Sequence, residues 1–499
     1  MSYFVHTKFL LSPLEASNAI CNQNPLASVY TLLKVHTMTR LYSLLTLLLA
    51  SVCVVAQKNE EYLDVPLPRE WNDGEYFNQT LPPDDKWWQN FEDPVLDSLI
   101  TVASMNNHSV LGAMENIRKA RAAWRISQGN MMPTFDLSAG WQRAKTSGNI
   151  AQTMYTQAWE GQFNAAVSMQ WQADIFGSIY MRSKAQKMLF MASEEEYRAV
   201  MVTLIANVAT TYFSLRESLA RMQVLRENVN SQREIIKIVT SRYDTGLASK
   251  LDVAQSRSVY YSTMAQIPAM QATIESYRNS MAVLLGAYPQ ELEGWLDECC
   301  SLPDYIEPVG VGIPAMLVRR RPDIRAAERQ VEANAALLGA TKRDWFPQLL
   351  LTGSIGFASD EMKRLFRSKS LTWEIAPTLK WNIFSGGERV NATREAQAAL
   401  DASIASFNGT ILTAMQEVED AMSQYKSSVG QIVSLREAVN QNRETLALSL
   451  ELYKQGLIEY QSVLDAQRTL LTYQDYLVQA QGGSLIYLIK LYEALGGGW

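Results

Sequence analysis

SIYMRSKAQKMLFMASEEEYRAVMVTLIANVATTYFSLRESLARMQVLRENVNSQREIIKIVTSRYDT, residues 178–245, and ERVNATREAQAALDASIASFNGTILTAMQEVEDAMSQYKSSVGQIVSLREAVNQNRETLALSLELYKQ, residues 388–455, each run 68 positions without a proline. They are bounded by Gly177 and Gly246, and by Gly387 and Gly456. The first holds no internal glycine either. At about 1.5 Å of rise per residue, a helix of this length extends roughly 100 Å, deeper than any ordinary globular core. Its apolar residues Met201, Ile205, Val208, Tyr212, Leu215, Leu219, Met222, Val229, Ile236 and Tyr243 fall on a 4-3 stripe, the period of left-handed coiled-coil packing. The second stretch repeats the stripe 210 residues later, matching Val208 to Val418, Leu215 to Tyr425, Met222 to Ile432, Val229 to Val439, Ile236 to Leu446 and Tyr243 to Tyr453. Agreement at so many positions predicts a duplicated unit.

Composition narrows the function classes. Of three histidines only His108 lies in the body of the chain, which starves it of metal ligands and imidazole bases. Four cysteines, two of them the neighbours Cys299 and Cys300, give no disulfide framework. No Ser/His/Asp, Cys/His or metal-ligand constellation is present, so neither catalysis nor a cofactor is expected. Met38, Thr39 and Arg40 precede the apolar run Leu41 to Ala50, and Val54, Val55 and Ala56 suit signal peptidase. Residues 1–56 therefore read as an upstream extension plus a secretory signal. Its removal takes Lys8, Lys34, Arg40 and Glu15, leaving a chain more acidic than the full-length net charge of −6 and a poor fit to nucleic acid. After residue 56 no apolar run approaches the roughly 20 residues a spanning helix needs. A membrane crossing must then be made by strands.

Strict alternation supplies those strands. From 159 to 174 the odd positions read Trp159, Gly161, Phe163, Ala165, Val167, Met169, Trp171 and Ala173, and polar residues hold most even ones. Phe135, Leu137, Ala139 and Trp141 repeat the pattern after Pro133, Leu349, Leu351 and Ile355 after Pro347, and Leu371, Trp373, Ile375, Leu379 and Trp381 before Gly386. One such strand would fit an amphipathic sheet on a soluble core. Four, with Trp near their ends, fit a transmembrane barrel with interfacial aromatics at Trp141, Trp159, Trp171, Trp373 and Trp381. A small barrel needs about eight strands, and open edges are intolerable in lipid, so several chains must share one barrel.

The order short helix, strand, strand, long helix, glycine turn, second helix occurs twice. The expected division is 57–97 as an N-terminal periplasmic segment, 98–288 as repeat 1 (strands about 133–143 and 159–174), 289–312 as linker, and 313–499 as repeat 2 (strands about 347–358 and 371–384). Each second helix ends in a matched pair, Leu285-Gly286 and Leu495-Gly496, and kinks are expected at Pro268 and at Gly482-Gly483. The fold class is thus mainly α with a β-barrel portion.

Arg320-Arg321-Pro322-Asp323-Ile324-Arg325-Ala326-Ala327-Glu328, then Ala340, Trp345-Phe346-Pro347 and Leu351-Thr352-Gly353-Ser354, resembles the signature of the outer-membrane efflux proteins. These are TolC-like channels of tripartite pumps, here the branch serving resistance-nodulation-division transporters. Trp87, Trp88, Phe91, Asp93, Pro94, Leu96, Leu99 and Ile100 resemble its other hallmark. The turn motifs Arg242, Tyr243, Gly246, Leu251, Asp252, Val253 and Tyr453, Gly456, Val463, Leu464, Asp465, Ala466, Gln467 complete a match over nearly all of the mature chain. The resemblance implies a homotrimer in the outer membrane, with a twelve-stranded barrel in lipid and a helical tunnel crossing the periplasm. It also implies as partners a periplasmic adaptor and an inner-membrane transporter, with small toxic molecules as cargo. Many members of the branch carry a lipid on an N-terminal cysteine. Here Val52 before Cys53 suits lipoprotein processing badly, and cleavage after Ala56 discards Cys53.

Gly246 and Gly456 read first as left-handed helix stops. Asp252 and Asp465, just beyond them, read either as helix-start dipole compensation or, through the resemblance, as acidic rings that hold the tunnel mouth shut. Ser462 stands where some members have a further Asp. Tyr243 and Tyr453 are candidate hydrogen-bonding partners or core residues. Two rivals remain open: a type I protein-secretion duct of the same fold, and a periplasmic coiled-coil adaptor or scaffold, which leaves the strands unexplained.

Overall fold

Both proline-free stretches form unbroken helices in the computed structural model, which describes residues 68–72, 76–77, 85–144, 160–292, 302–303 and 309–498. In chain order the elements are α1 (Pro94–Asn106), α2 (His108–Gly129), β1 (Thr134–Ala144), β2 (Glu160–Ala173), α3 (Ser178–Asp244), α4 (Lys250–Met264) and α5 (Gln266–Leu285). There follow α6 (Pro314–Arg320), α7 (Pro322–Arg343), β3 (Gln348–Ser359), β4 (Leu371–Lys380), α8 (Glu388–Gln455) and α9 (Tyr460–Ala494). The signal segment, Cys53, Trp159, Cys299 and Cys300 lie outside the described residues.

The strands form one antiparallel sheet in the order β1-β2-β3-β4. Register partners share a face, so the rows Leu137, Val167, Ile355, Trp373 and Phe135, Met169, Gly353, Ile375 place the apolar residues on one side. The row Asp136, Ser168, Ser354, Glu374 lies on the other. Among the described residues nothing covers the apolar side: Leu137 is 81% exposed, Trp373 70% and Ile375 68%. A soluble amphipathic sheet would bury this face, and here it is bare. β4 ends at Lys380 and not at 384, because Trp381 turns away to donate its indole N–H to the Trp345 carbonyl at 3.1 Å.

Each strand continues into a helix, α2 into β1, β2 into α3, α7 into β3 and β4 into α8, and the helices keep the lateral order of the strands. α3 packs against α2 on one side and α7 on the other, and α7 against α8. Farther from the sheet α9 takes the place of α7 between α3 and α8, while α4 and α5 flank α3 on the α2 side. The two matched helices therefore pack mainly against the intervening α7 and α9 and not along each other. Their stripes are buried as expected at Val208, Tyr212, Leu215, Met222 and Val229, and at Val418, Tyr425 and Val439. Near the tip the core moves to Ile235 and Val239, which meet Val259, Tyr460, Val463 and Leu464 from α4 and α9, and Tyr243 is left 42% exposed.

The structure bears on the expected bends and on the membrane segments. Pro268 does interrupt the helix: α4 ends at Met264, whose carbonyl Pro268 cannot pair and its ring would crowd. Gly482 and Gly483 break nothing, since α9 runs unbroken through them. Gly482 is there for close approach, because a Cβ would come 2.6 Å from Glu217 Cγ on α3. In addition, α3 contains an 18-residue window of mean hydropathy 1.3, apolar enough by composition to span a bilayer. That window is 56% buried in helix packing within the protomer, which accounts for its apolarity.

Candidate functional site

The end of the molecule remote from the sheet is built from two helix hairpins closed in the same way. In the first, Gly246 has φ +74, its N–H donates to Tyr243 O at 2.9 Å and Leu247 N–H donates to Arg242 O at 2.8 Å. In the second, Gly456 has φ +77, with Gly456 N–H to Tyr453 O and Leu457 N–H to Leu452 O, both 2.9 Å. This pairing is the Schellman stop, and the left-handed φ requires glycine.

The helices that follow start differently. Ser249 caps α4 in a reciprocal box: Asp252 N–H donates to Ser249 Oγ at 3.2 Å and Ser249 N–H to Asp252 Oδ2 at 3.0 Å. A Ser or Asp in these roles satisfies the orphan donors of a helix start. At the matched positions of α9, Glu459 and Ser462, no side chain caps the helix. Asp465 lies a turn farther on, exposed, its Oδ1 accepting from Gln461 Nε2 at 3.0 Å. Asp252 and Asp465 are thus not equivalent: one carboxylate serves its own helix, and the other is engaged only by an exposed glutamine of its own helix.

Neither aspartate hydrogen-bonds Tyr243 or Tyr453 within the protomer. Tyr453 is buried, its ring 5.5 Å from that of Tyr460. Burial, then the nearby Asp252 charge, raises its hydroxyl pKa above the usual phenolic value, and burial pushes that of Tyr460 up to about 12. Neither hydroxyl makes a hydrogen bond of ordinary geometry, but Arg242 beside Tyr453 and Ser256 beside Tyr460 lie close enough to offset part of the rise.

Arg242, which the sequence suggested only as part of a turn motif, joins the hairpins. From α3 its guanidinium lies 4.9 Å over the Tyr453 ring, and Nη1 donates to the Lys454 carbonyl at 2.6 Å. A cation there also meets the negative end of α8. An open cleft of about 680 Å³ lies between the tips, lined among others by Arg242, Leu251, Asp252, Gln255, Tyr453 and Gln461. The spacing of Arg242 before Gly246 was visible in sequence, but its partner across the hairpins was not.

The other sequence landmarks are structural. Arg321 is clamped by Asp323, by Glu417 of α8 at 2.6 Å and by the Ala494 carbonyl of α9 at 2.9 Å, an arrangement that holds it charged despite burial. Asp93 caps α1 and accepts from Tyr212 Oη at 2.8 Å and from Arg216, while Trp87 stacks on Tyr492 at 5.2 Å. These contacts fasten the N-terminal segment to α3 and α9. Among the aromatics, Trp141 and Trp373 stand on the bare apolar face. Trp171 and Trp381 spend their indole N–H groups on the Met131 and Trp345 carbonyls, at the helix end of the sheet.

Comparison with known proteins places this architecture. A family model described as outer membrane efflux protein matches residues 99–287 and 313–497. The solvent efflux pump outer membrane protein SrpC of Pseudomonas putida is 32% identical over 410 residues, 82% of this chain and 86% of that one. Outer membrane protein OprJ of Pseudomonas aeruginosa is 28% identical over 458 residues, 92% and 95% of the two chains. The solved outer-membrane channel OprN superposes with a TM-score of 0.84 at 27% identity, covering 89% of this chain and 99% of that one.

Proposed function

The chain belongs to the outer membrane efflux protein family and is an outer-membrane efflux channel, and we propose that three copies assemble into one barrel and one tunnel, gated at the hairpin tips. The observation that carries this reading is a layer open at both sides. The sheet ends in unpaired edges at β1 and β4, and beneath it the layer ends in α2, α4 and α5 on one side and in α8 on the other. Both flanks carry exposed apolar side chains: Ile126, Tyr261 and Val283 on one, Leu412, Val433 and Leu448 on the other. Unpaired strand edges cannot persist in lipid, and four strands from each of three copies give the twelve a closed barrel can use. The bare apolar face then contacts outer-membrane lipid and the row with Asp136 and Glu374 faces the lumen.

In this scheme residues 98–288 and 313–499 are two repeats of one unit, joined by 289–312 and preceded by 57–97. The gate is passive. Three symmetry-related copies of Asp465 narrow and charge the aperture, and the seam held by Arg242 parts when a periplasmic adaptor moves the hairpins. An inner-membrane resistance-nodulation-division transporter supplies energy and chooses the cargo. Small toxic molecules are the expected cargo, as the names of the solvent and toluene pump proteins suggest.

Fractionation with heat-modifiable gel mobility tests the assembly: an outer-membrane, detergent-requiring trimer is expected, and a soluble periplasmic species would overturn it. Single-channel recording of Asp465→Ala in planar bilayers tests the gate, with higher conductance and weaker cation selectivity expected. Unchanged values remove Asp465 from the aperture.

A further inference from the structure

We propose that the β3–β4 loop, residues 360–370, is a docking surface for the phosphate-bearing headgroup of an outer-leaflet glycolipid; this rests on the barrel placement above. The loop reads Asp-Glu-Met-Lys-Arg-Leu-Phe-Arg-Ser-Lys-Ser and lies at the end of the sheet remote from the helices. Glu361 is taken by Arg364 at 3.1 Å. Lys363, Arg367 and Lys369 are exposed and form no ion pair among the described residues.

Three observations turn this cationic cluster toward lipid and not toward the lumen. First, the Phe366 ring packs edge-on against Phe357 at 5.6 Å, and Phe357 is in register with Ala165 and Leu371 on the apolar face. The loop therefore leans over the side that contacts the bilayer. Second, that face carries no charge from Phe135 to Trp141, from Gly161 to Ala173, or along β3 and β4; its one cation, Arg143, lies at the rim. Cations begin where the apolar band ends, the level of phosphates in a bilayer. Third, the loop is built to hold a shape: Leu365 is buried, Ser370 Oγ donates to Arg364 O at 2.8 Å, and Glu361 N–H donates to Ser359 Oγ at 3.2 Å. Exposed Met362 and Phe366 would sit among acyl chains while Arg367 and the lysines meet phosphate oxygens, a fork geometry guanidinium suits.

The test uses the full-length protein in neutral detergent, titrated with bis-phosphorylated lipid A, its dephosphorylated counterpart and inorganic phosphate, with bound lipid counted by native mass spectrometry. The wild type should retain the phosphorylated lipid about 10- to 100-fold better than the dephosphorylated one, with the preference weakening in salt. Lys363→Gln/Arg367→Gln/Lys369→Gln should lose the preference. Equal retention of the two lipids by wild type overturns the proposal, as does displacement of the lipid by inorganic phosphate at equal concentration. Flotation of the same protein with phosphatidylcholine vesicles reads the barrel separately. Protein that floats yet shows no phosphate preference refutes the loop alone, whereas protein that fails to float refutes the barrel and the loop with it.

Discussion

Glu217 is the residue whose charge the surroundings least support. It lies on α3 against Gly482 of α9, with Arg221 at 3.8 Å bridging to Asp475. Burial outweighs the Arg221 attraction and lifts its pKa to about 7, with Asp475 adding to the rise. A carboxyl whose folded pKa is raised contributes stability that is complete below the unfolded value near 4.5 and is lost as pH rises through about 7. The expected loss is on the order of 3 kcal/mol at most. Thermal melting should therefore fall between about pH 4.5 and 7 in the wild type, level off above that, and stay nearly flat in Glu217→Gln; parallel curves would count against a titrating Glu217. Gly482→Ala should cost about 1–3 kcal/mol through the same contact, since its methyl group must displace Glu217, and equilibrium unfolding would read it. Arg242→Ala should loosen the seam, seen as more frequent opening in bilayer recordings while the trimer survives.

Among the elements, the two hairpins share their stops and differ in their starts. Ser249→Ala removes half of the α4 capping box, a change worth about 0.5–2 kcal/mol. Faster amide exchange is expected in the first turn of α4 and none at the start of α9, which has no side-chain cap to lose. Exchange that rises equally at both starts would mean that the hairpins open as one unit. The break between α4 and α5 belongs to the same scale. The helix after the Gly246 turn divides at Pro268 into α4 and α5, while α9, after the Gly456 turn, is continuous.

For the whole molecule, the bare sheet face makes the sharpest demand. Leu137→Arg places a cation where a water-soluble protein would tolerate or welcome one. Facing the bilayer midplane, it should cost about 2–4 kcal/mol and reduce the heat-modifiable form in outer-membrane fractions. An unchanged yield of assembled protein would argue that this face is not in lipid.

Local regularity made much of the molecule legible in the sequence. The absence of proline fixed the long helices to within a residue, Gly246 and Gly456 marked their stops, and period-two alternation found the four strands, because each depends on nearest neighbours along the chain. Resemblance in the Arg320–Glu328 string pointed to the family. What depended on contacts across the chain was not legible. Sequence could not say that α7 and α9 would separate the matched helices, that Gly482 would yield space to Glu217, or that Tyr243 would face outward while Val239 filled the tip. Nor could it foresee Arg242 reaching the Lys454 carbonyl. The sequence by itself determined the lengths, periods and stops of the elements; only the tertiary structure decided their neighbours and which edges and faces the protomer leaves open. Backbone geometry and side-chain period are set within a few residues, whereas packing is settled among groups hundreds of residues apart.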